Sequence, residues 1–94
     1  MVYLNSETGL KLDLGNLDAI DRDFYRLALR LFKENARWTS FNELILGMQS
    51  PLYRRDRPRR DFRSDPLYLA LKDMSIQLGI RQGMIAPRAK ARVG

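Results

Sequence analysis

The sequence predicts an α+β fold in which an N-terminal β-hairpin packs against three α-helices. Residues 2–14 alternate apolar and polar side chains, whereas three later stretches repeat apolar residues every three or four positions. Of the 94 residues, 45% are hydrophobic and 30% are charged, a composition typical of one folded domain. We expect a single small globular domain over residues 1–86 and a basic C-terminal tail over residues 87–94.

The predicted hairpin occupies residues 2–14. Its apolar start, Val2–Leu4, is followed by turn residues, and the leucines of residues 10–14 alternate with charged residues. This period of two gives one buried face, and Gly9 can adopt the positive φ that longer hairpin loops often need. Because an isolated hairpin is only marginally stable in water, it must pack on the helices. Residues 83–86 can add a short third strand.

The first predicted helix runs from about Ala19 to Asn35, with Asp18 as its N-cap. Its apolar stripe consists of Ile20, Phe24, Leu27, Ala28, Leu31 and Phe32. These positions recur at helical spacing, so we expect them to face the core. The outer face carries a basic row made of Arg22, Arg26, Arg30 and Lys33. Such a row is either an ordinary solvated face or an extension of a binding surface.

The second predicted helix is short, from about residue 41 to residue 49, and its apolar face consists of Phe41, Leu44, Ile45 and Met48. Ser40 and Glu43 have the spacing of a capping box, in which each side chain satisfies the other's free backbone N–H. Trp38 lies just before this box and has two alternative roles. We favour a core role, in which it fills the corner between the first two helices, over that of an interface anchor.

The third predicted helix runs from about Pro66 to Leu78. Asp65 is its N-cap, and Pro66 occupies the first helical position, where its missing N–H costs nothing. Gly79 is the expected C-terminal cap. Residues 50–64 are then a long connection between the second and third helices, because Pro51 disfavours helical geometry in the residue before it.

The residue types present exclude most catalytic chemistry. The chain has no histidine and no cysteine, which removes the commonest general base, the commonest metal ligands and the thiol nucleophile. Asp18, Asp21 and Asp23 form the one acidic cluster. It suits capping and the dipole of the first helix better than a magnesium site. We therefore expect a protein that is not an enzyme and that has no cofactor and no metal.

The most unusual segment is rich in arginine. Six of the ten residues from position 54 to position 63 are arginines, namely Arg54, Arg55, Arg57, Arg59, Arg60 and Arg63. Residues 54–94 carry eleven basic and four acidic side chains, a net charge of +7, whereas residues 1–53 have a net charge of −1. Such asymmetry predicts a nucleic acid, an anionic membrane or an acidic protein as partner.

Two aromatic residues, Tyr53 and Phe62, bracket the arginine segment. Arginines can contact phosphates while aromatic rings stack on bases, as in proteins that hold single-stranded nucleic acid. Alternatively, both rings anchor the segment to the core and the arginines are solvated or paired with Asp56 and Asp61. The tail adds three further basic residues, Arg88, Lys90 and Arg92. The tail is either a phosphate contact or a frayed terminus.

The leading hypothesis is a basic binding protein that contacts DNA or RNA through residues 54–63. The alternative is a protein-interaction module or homodimeric adaptor whose arginines bind an acidic protein. A helix-turn-helix is disfavoured because about fifteen residues separate the second and third helices and the second lacks basic residues. We expect no membrane partner, since no apolar run approaches the length of a bilayer span. The absence of a secretory signal favours the cytoplasm.

Overall fold

The computed structural model describes residues 1–56, 61 and 63–87, which form two strands and four helices. The elements are β1 (Val2–Leu4), β2 (Lys11–Asp13), α1 (Ala19–Lys33), α2 (Trp38–Met48), α3 (Pro51–Arg55) and α4 (Pro66–Arg81). The predicted α+β class is confirmed. Helices α1, α2 and α4 are the three predicted helices, and α3 is an additional short helix.

The N-terminal hairpin forms as predicted. β1 and β2 pair in antiparallel fashion, with Tyr3 opposite Leu12. Gly9 has φ of +76°, and its N–H donates to the Asn5 carbonyl at 2.7 Å, which closes the loop. The suggested third strand is wrong, because the described residues 83–86 form a turn after α4 and not a strand. The N–H groups of Met84 and Ile85 both donate to the Gly79 carbonyl at the end of that helix.

The core lies where α1, α2 and α4 meet, with the hairpin covering one side. Its most completely enclosed large side chains are Tyr3, Phe41, Met48, Leu67, Leu71, Met74 and Leu78. Four of these seven belong to α4, so this helix is the central element on which the others pack. The buried side of α2 is the predicted one, with Phe41 and Met48 fully enclosed and Leu44 partly buried.

The buried face of α1 differs from the predicted stripe. Its fully buried residues are Asp21, Tyr25 and Ala28, whereas Ile20 and Leu27 are exposed. Hydrophobic spacing does not predict this face, because the side chains of Asp21 and Tyr25, which carry polar groups, are buried. Tyr25 packs edge-on against Tyr3, with the ring centroids 6.5 Å apart.

Helix α2 begins three residues earlier than predicted, at Trp38. Ser40 and Glu43 therefore lie within the helix, and the predicted capping box is wrong. Arg37 occupies the N-cap position, where its side chain offers no oxygen acceptor. The N–H of Trp38 instead donates to the Oε1 atom of Gln82, at 2.8 Å. A side chain at the end of α4 thus satisfies one free N–H of α2.

Helix α4 begins as predicted and ends later. The Oδ1 atom of Asp65 accepts a hydrogen bond from the N–H of Leu67 at 3.2 Å, which confirms the N-cap. Gly79 is not the C-terminal cap, because the helix continues to Arg81. Gly83, with φ of +74°, ends it: its N–H donates to the Ile80 carbonyl, and that of Met84 to the Gly79 carbonyl. This is the paired hydrogen-bonding pattern of a Schellman cap.

Candidate functional site

The arginine segment begins on a helix rather than in a loop. Ser50 caps α3 by accepting a hydrogen bond from the N–H of Tyr53, at 3.3 Å, and Pro51 occupies the first turn. A serine cap followed by proline is a strong local start signal, which explains a helix of only five residues. Arg54 and Arg55 form its last turn, where positive charge suits the helix dipole.

Tyr53 fixes α3 to α1. Its hydroxyl donates to the Oδ1 atom of Asp21, which is only 2% exposed. The Tyr53 ring also packs edge-on against Phe24, with the centroids 4.9 Å apart and the ring planes at 81°. Tyr53 is therefore a buried anchor. It does not present a stacking surface for a base, which corrects that part of the predicted site.

The described arginines of the segment are exposed. Arg55 lies 3.8 Å from Asp56, and Arg63 lies 3.9 Å from Asp61, measured from Nε to Oδ1 in both cases. Exposed ion pairs of this length contribute little to stability. An incoming phosphate or carboxylate can therefore replace either aspartate at small cost. The N–H of Arg63 also donates to Asp61 at 3.0 Å, so Asp61 organises the local backbone.

Two of these arginines border an open groove with an apolar floor. The groove has a volume of about 610 Å³ and is lined by Gln49, Pro51, Leu52, Arg54 and Arg55. Leu52, which forms part of this floor, is 73% exposed. Guanidinium groups beside an apolar surface suit a ligand that is both anionic and partly flat or apolar.

The other predicted site residues of the segment and tail lie outside the described residues. They are Arg57, Arg59, Arg60, Phe62, Arg88, Lys90 and Arg92. Their part in a site stays a prediction from the sequence. Of the predicted arginines, the structure places Arg54 and Arg55 beside the groove and Arg63 beside Asp61.

The basic row of α1 is a separate surface. Arg22, Arg26, Arg30 and Lys33 are all exposed. Asp21 and Phe24 contact α3 from the other side of the helix. With about 100° of rotation per residue, the row lies roughly half a turn away from those two contacts. The row therefore does not extend the arginine segment into one continuous surface across α1.

Trp38 occupies the margin of the core. It is partly buried, packs against the core cluster and lies beside Gly79. Its indole Nε1 is buried and has no hydrogen-bond partner among the described residues. This placement agrees with the core role that we favoured over that of an interface anchor.

A polar cluster that the sequence did not reveal joins the hairpin to α4. The Oδ2 atom of Asp73 accepts hydrogen bonds from Tyr3 at 2.6 Å, Asn5 at 2.8 Å and Thr8 at 3.2 Å. Burial, together with the hydrogen bond to Asp73, raises the pKa of the Tyr3 hydroxyl above its usual range. No local signal connects position 73 to residues 3–8, because the contact depends on the tertiary fold. Its place between hairpin and helix makes it a structural cluster.

The acidic first turn of α1 has the predicted capping role. Asp18 accepts a hydrogen bond from the N–H of Asp21 at 2.8 Å, while the Asp21 carboxylate accepts one from Tyr53. Within the described ranges, no group of three or more potential metal-binding side chains comes together.

Comparison with known proteins adds no relative. No protein-family model, no curated protein and no solved structure matches this chain. In the part of the chain that the structure describes, no helix combines the length and apolar character needed to cross a bilayer.

Proposed function

We propose that this protein is a non-enzymatic binding protein that contacts the phosphates of nucleic acid through the arginine segment 54–63. The anchoring of Tyr53 to Asp21 carries the proposal. It holds α3 against α1, while Arg54 and Arg55, the next two residues, are exposed. Cationic groups on an anchored helix lose less conformational freedom on binding than those on a free loop.

The side-chain chemistry favours phosphate as the ligand. Arginine presents planar donors that match two phosphate oxygens at once and keeps its charge at any physiological pH. The chain has a net charge of +6, and the excess is concentrated from residue 54 onward. This charge asymmetry draws a polyanion toward the segment and speeds association at low salt.

The burial of Tyr53 limits what this site can recognise. Phosphate contacts supply affinity and orientation but carry no base sequence. With the Tyr53 ring inside the core, the described site offers Pro51 and Leu52, not an aromatic face, for contact with a sugar or base. We therefore propose binding with little sequence preference, to a cytoplasmic DNA or RNA, with no stacking of a base on Tyr53.

The test is binding of labelled duplex DNA and single-stranded RNA at several salt concentrations. One variant replaces Arg54, Arg55, Arg57, Arg59 and Arg60 with serine. A smaller variant replaces only Arg54 and Arg55. Its matched control replaces Lys11 and Lys72, which are exposed on β2 and α4, so that both double variants lose two positive charges.

On duplex DNA, loss of five phosphate contacts lowers the slope of log affinity against log salt by about 4 to 5, and loss of two lowers it by about 2. The lysine control should keep the wild-type slope. Equal effects of the arginine and lysine pairs would show that net charge, rather than this segment, governs binding. Failure of the wild type to bind either polymer near physiological salt would refute the proposal.

An acidic protein is the second candidate partner. The ion pairs of Arg55 with Asp56 and of Arg63 with Asp61 favour it, because carboxylates already approach these guanidinium groups. A complex with a carboxylate-rich peptide that the arginine variant loses, without binding to either nucleic acid, would support this candidate. Salt weakens both kinds of complex, so the identity of the ligand must be tested directly.

A further inference from the structure

A shallow apolar groove lies between α1 and α2 and has a different lining from the groove beside α3. It is lined by Ile20, Asp23, Phe24, Leu27 and Leu44 and has a volume of about 200 Å³. Ile20 is 50% exposed and Leu27 is 37% exposed. The stripe that the sequence predicts as core thus lies partly on the surface, with spacing suited to packing against another helix.

Two oppositely charged residues of α1 lie at or near this groove. Asp23 lines it, and Arg30 lies seven residues later, on the same side of the helix and about 10 Å along its axis. Neither side chain forms a hydrogen bond or an ion pair with any described residue. The charges around the groove are therefore mixed, unlike those of the arginine segment.

We propose that a second copy of this chain covers the groove, with the two α1 helices crossing in antiparallel fashion near Leu27. Asp23 lies four residues before Leu27, and Arg30 lies three residues after it. An antiparallel crossing there brings Asp23 of each copy opposite Arg30 of the other. Each Leu27 then enters the groove of the other copy beside Leu44.

The charge pattern selects a second copy over other partners. A twofold dimer uses the same patch on both chains, so that patch must complement itself. A helix with an acid and a base symmetrically placed about one leucine meets this condition. A uniformly acidic partner would be repelled by Asp23, and a uniformly basic partner would be repelled by Arg30. This dimer does not depend on the proposed nucleic-acid function.

The first test is the mass of the nuclease-treated protein by sedimentation equilibrium over a range of concentrations. The wild type should be a dimer at high concentration, and Leu27→Glu should be a monomer. The control is Leu46→Glu, which places the same charge on an exposed leucine of α2 outside the groove and should remain dimeric. Thermal unfolding and circular dichroism of each variant establish that it is folded.

A charge exchange tests the orientation of the two helices. Asp23→Arg and Arg30→Asp should each weaken the dimer by about tenfold or more, because each places like charges opposite one another. The double variant, which exchanges the two charges, should recover most of the lost affinity. A wild type that is monomeric at every concentration, or a dimer unaffected by Leu27→Glu, overturns the proposal. Failure of the double variant to recover overturns the antiparallel pairing.

Discussion

Gln82 caps a helix that begins 44 residues before it, since its Oε1 atom accepts the N–H of Trp38 at 2.8 Å. Its Nε2 atom donates to the carbonyl of Ala36 at 2.7 Å. One amide side chain therefore holds the end of α4 against the connection between α1 and α2. The N-cap of α2 depends on tertiary structure rather than on its own sequence.

Replacing Gln82 with alanine should lower the free energy of unfolding by about 1–2 kcal/mol, because a helix N–H and a carbonyl lose their partner. Ser40→Ala is the matched control, since Ser40 is an exposed residue inside α2 and not its cap. It should change stability by less than about 0.5 kcal/mol. Urea unfolding of both variants makes the comparison. A larger loss of unfolding free energy in Ser40→Ala would indicate that Ser40 caps α2, as the sequence predicted.

Gly79→Ala should destabilise the fold although alanine is the better helix former. An added Cβ atom would lie 2.7 Å from Cγ1 of Ile85 and 2.9 Å from Nε1 of Trp38. Such overpacking typically costs about 1–3 kcal/mol, against a gain in helix propensity of about 1 kcal/mol.

Gly47→Ala is the opposite case within α2. Its nearest contact would be Phe24 at 3.6 Å, an ordinary packing distance, so it should stabilise the protein by up to about 1 kcal/mol. Thermal unfolding compares the two glycine variants. Ile85→Ala should recover part of the loss in the Gly79→Ala background, and no recovery would mean that Trp38 is the obstacle.

Tyr53→Phe should lower the free energy of unfolding by about 1–3 kcal/mol, because it leaves the buried Asp21 carboxylate without the hydroxyl donor. The same substitution should cost less in an Asp21→Asn background, where no buried charge remains. The double-mutant cycle isolates the interaction between these two residues. Equal costs in both backgrounds would show that the hydroxyl does not stabilise the carboxylate.

Stability should fall as the pH rises above about 10. Burial and the hydrogen bond to Asp73 raise the pKa of Tyr3, and burial raises that of Tyr25. Above pH 10 the unfolded chain loses these protons while the folded chain retains them, so unfolding becomes more favourable, by up to about 1.4 kcal/mol per pH unit for each tyrosine. Tyr3→Phe should reduce the slope in urea titrations, and an unchanged slope would contradict this linkage.

Local signals predicted much of the fold. The alternation of residues 2–14 specified the hairpin, and Asp18 and Asp65 marked the starts of α1 and α4 correctly. These features depend on neighbouring residues, so a linear sequence contains them. The apolar face of α2 was also predictable, since Phe41 and Met48 recur at helical spacing.

The remaining features depend on distant partners. Asp21 resembles any acid in a first helical turn, and its burial depends on contacts with distant residues such as the hydrogen bond from the Tyr53 hydroxyl. Gly79 resembles a helix terminator, whereas the close approach of Ile85 requires it within the helix. Helix α3 is an exception: its start signal, Ser50 followed by Pro51, is local, but five residues are too few for periodicity to reveal a helix. The anchoring of the arginine segment through Tyr53 and Asp21 also depends on distant residues, so the sequence did not predict it. The positive charge of the segment was evident from composition.

The attachment of the hairpin to Asp73 has a consequence for the order of folding. The three hydrogen bonds to this carboxylate join positions 65 to 70 residues apart in the chain. A short hairpin is marginal alone, so β1 and β2 gain their support only after α4 exists. During synthesis, the hairpin is made before α4, so it must wait for that helix before it can pack. A chain truncated before position 73 should leave its N-terminus exposed to proteases.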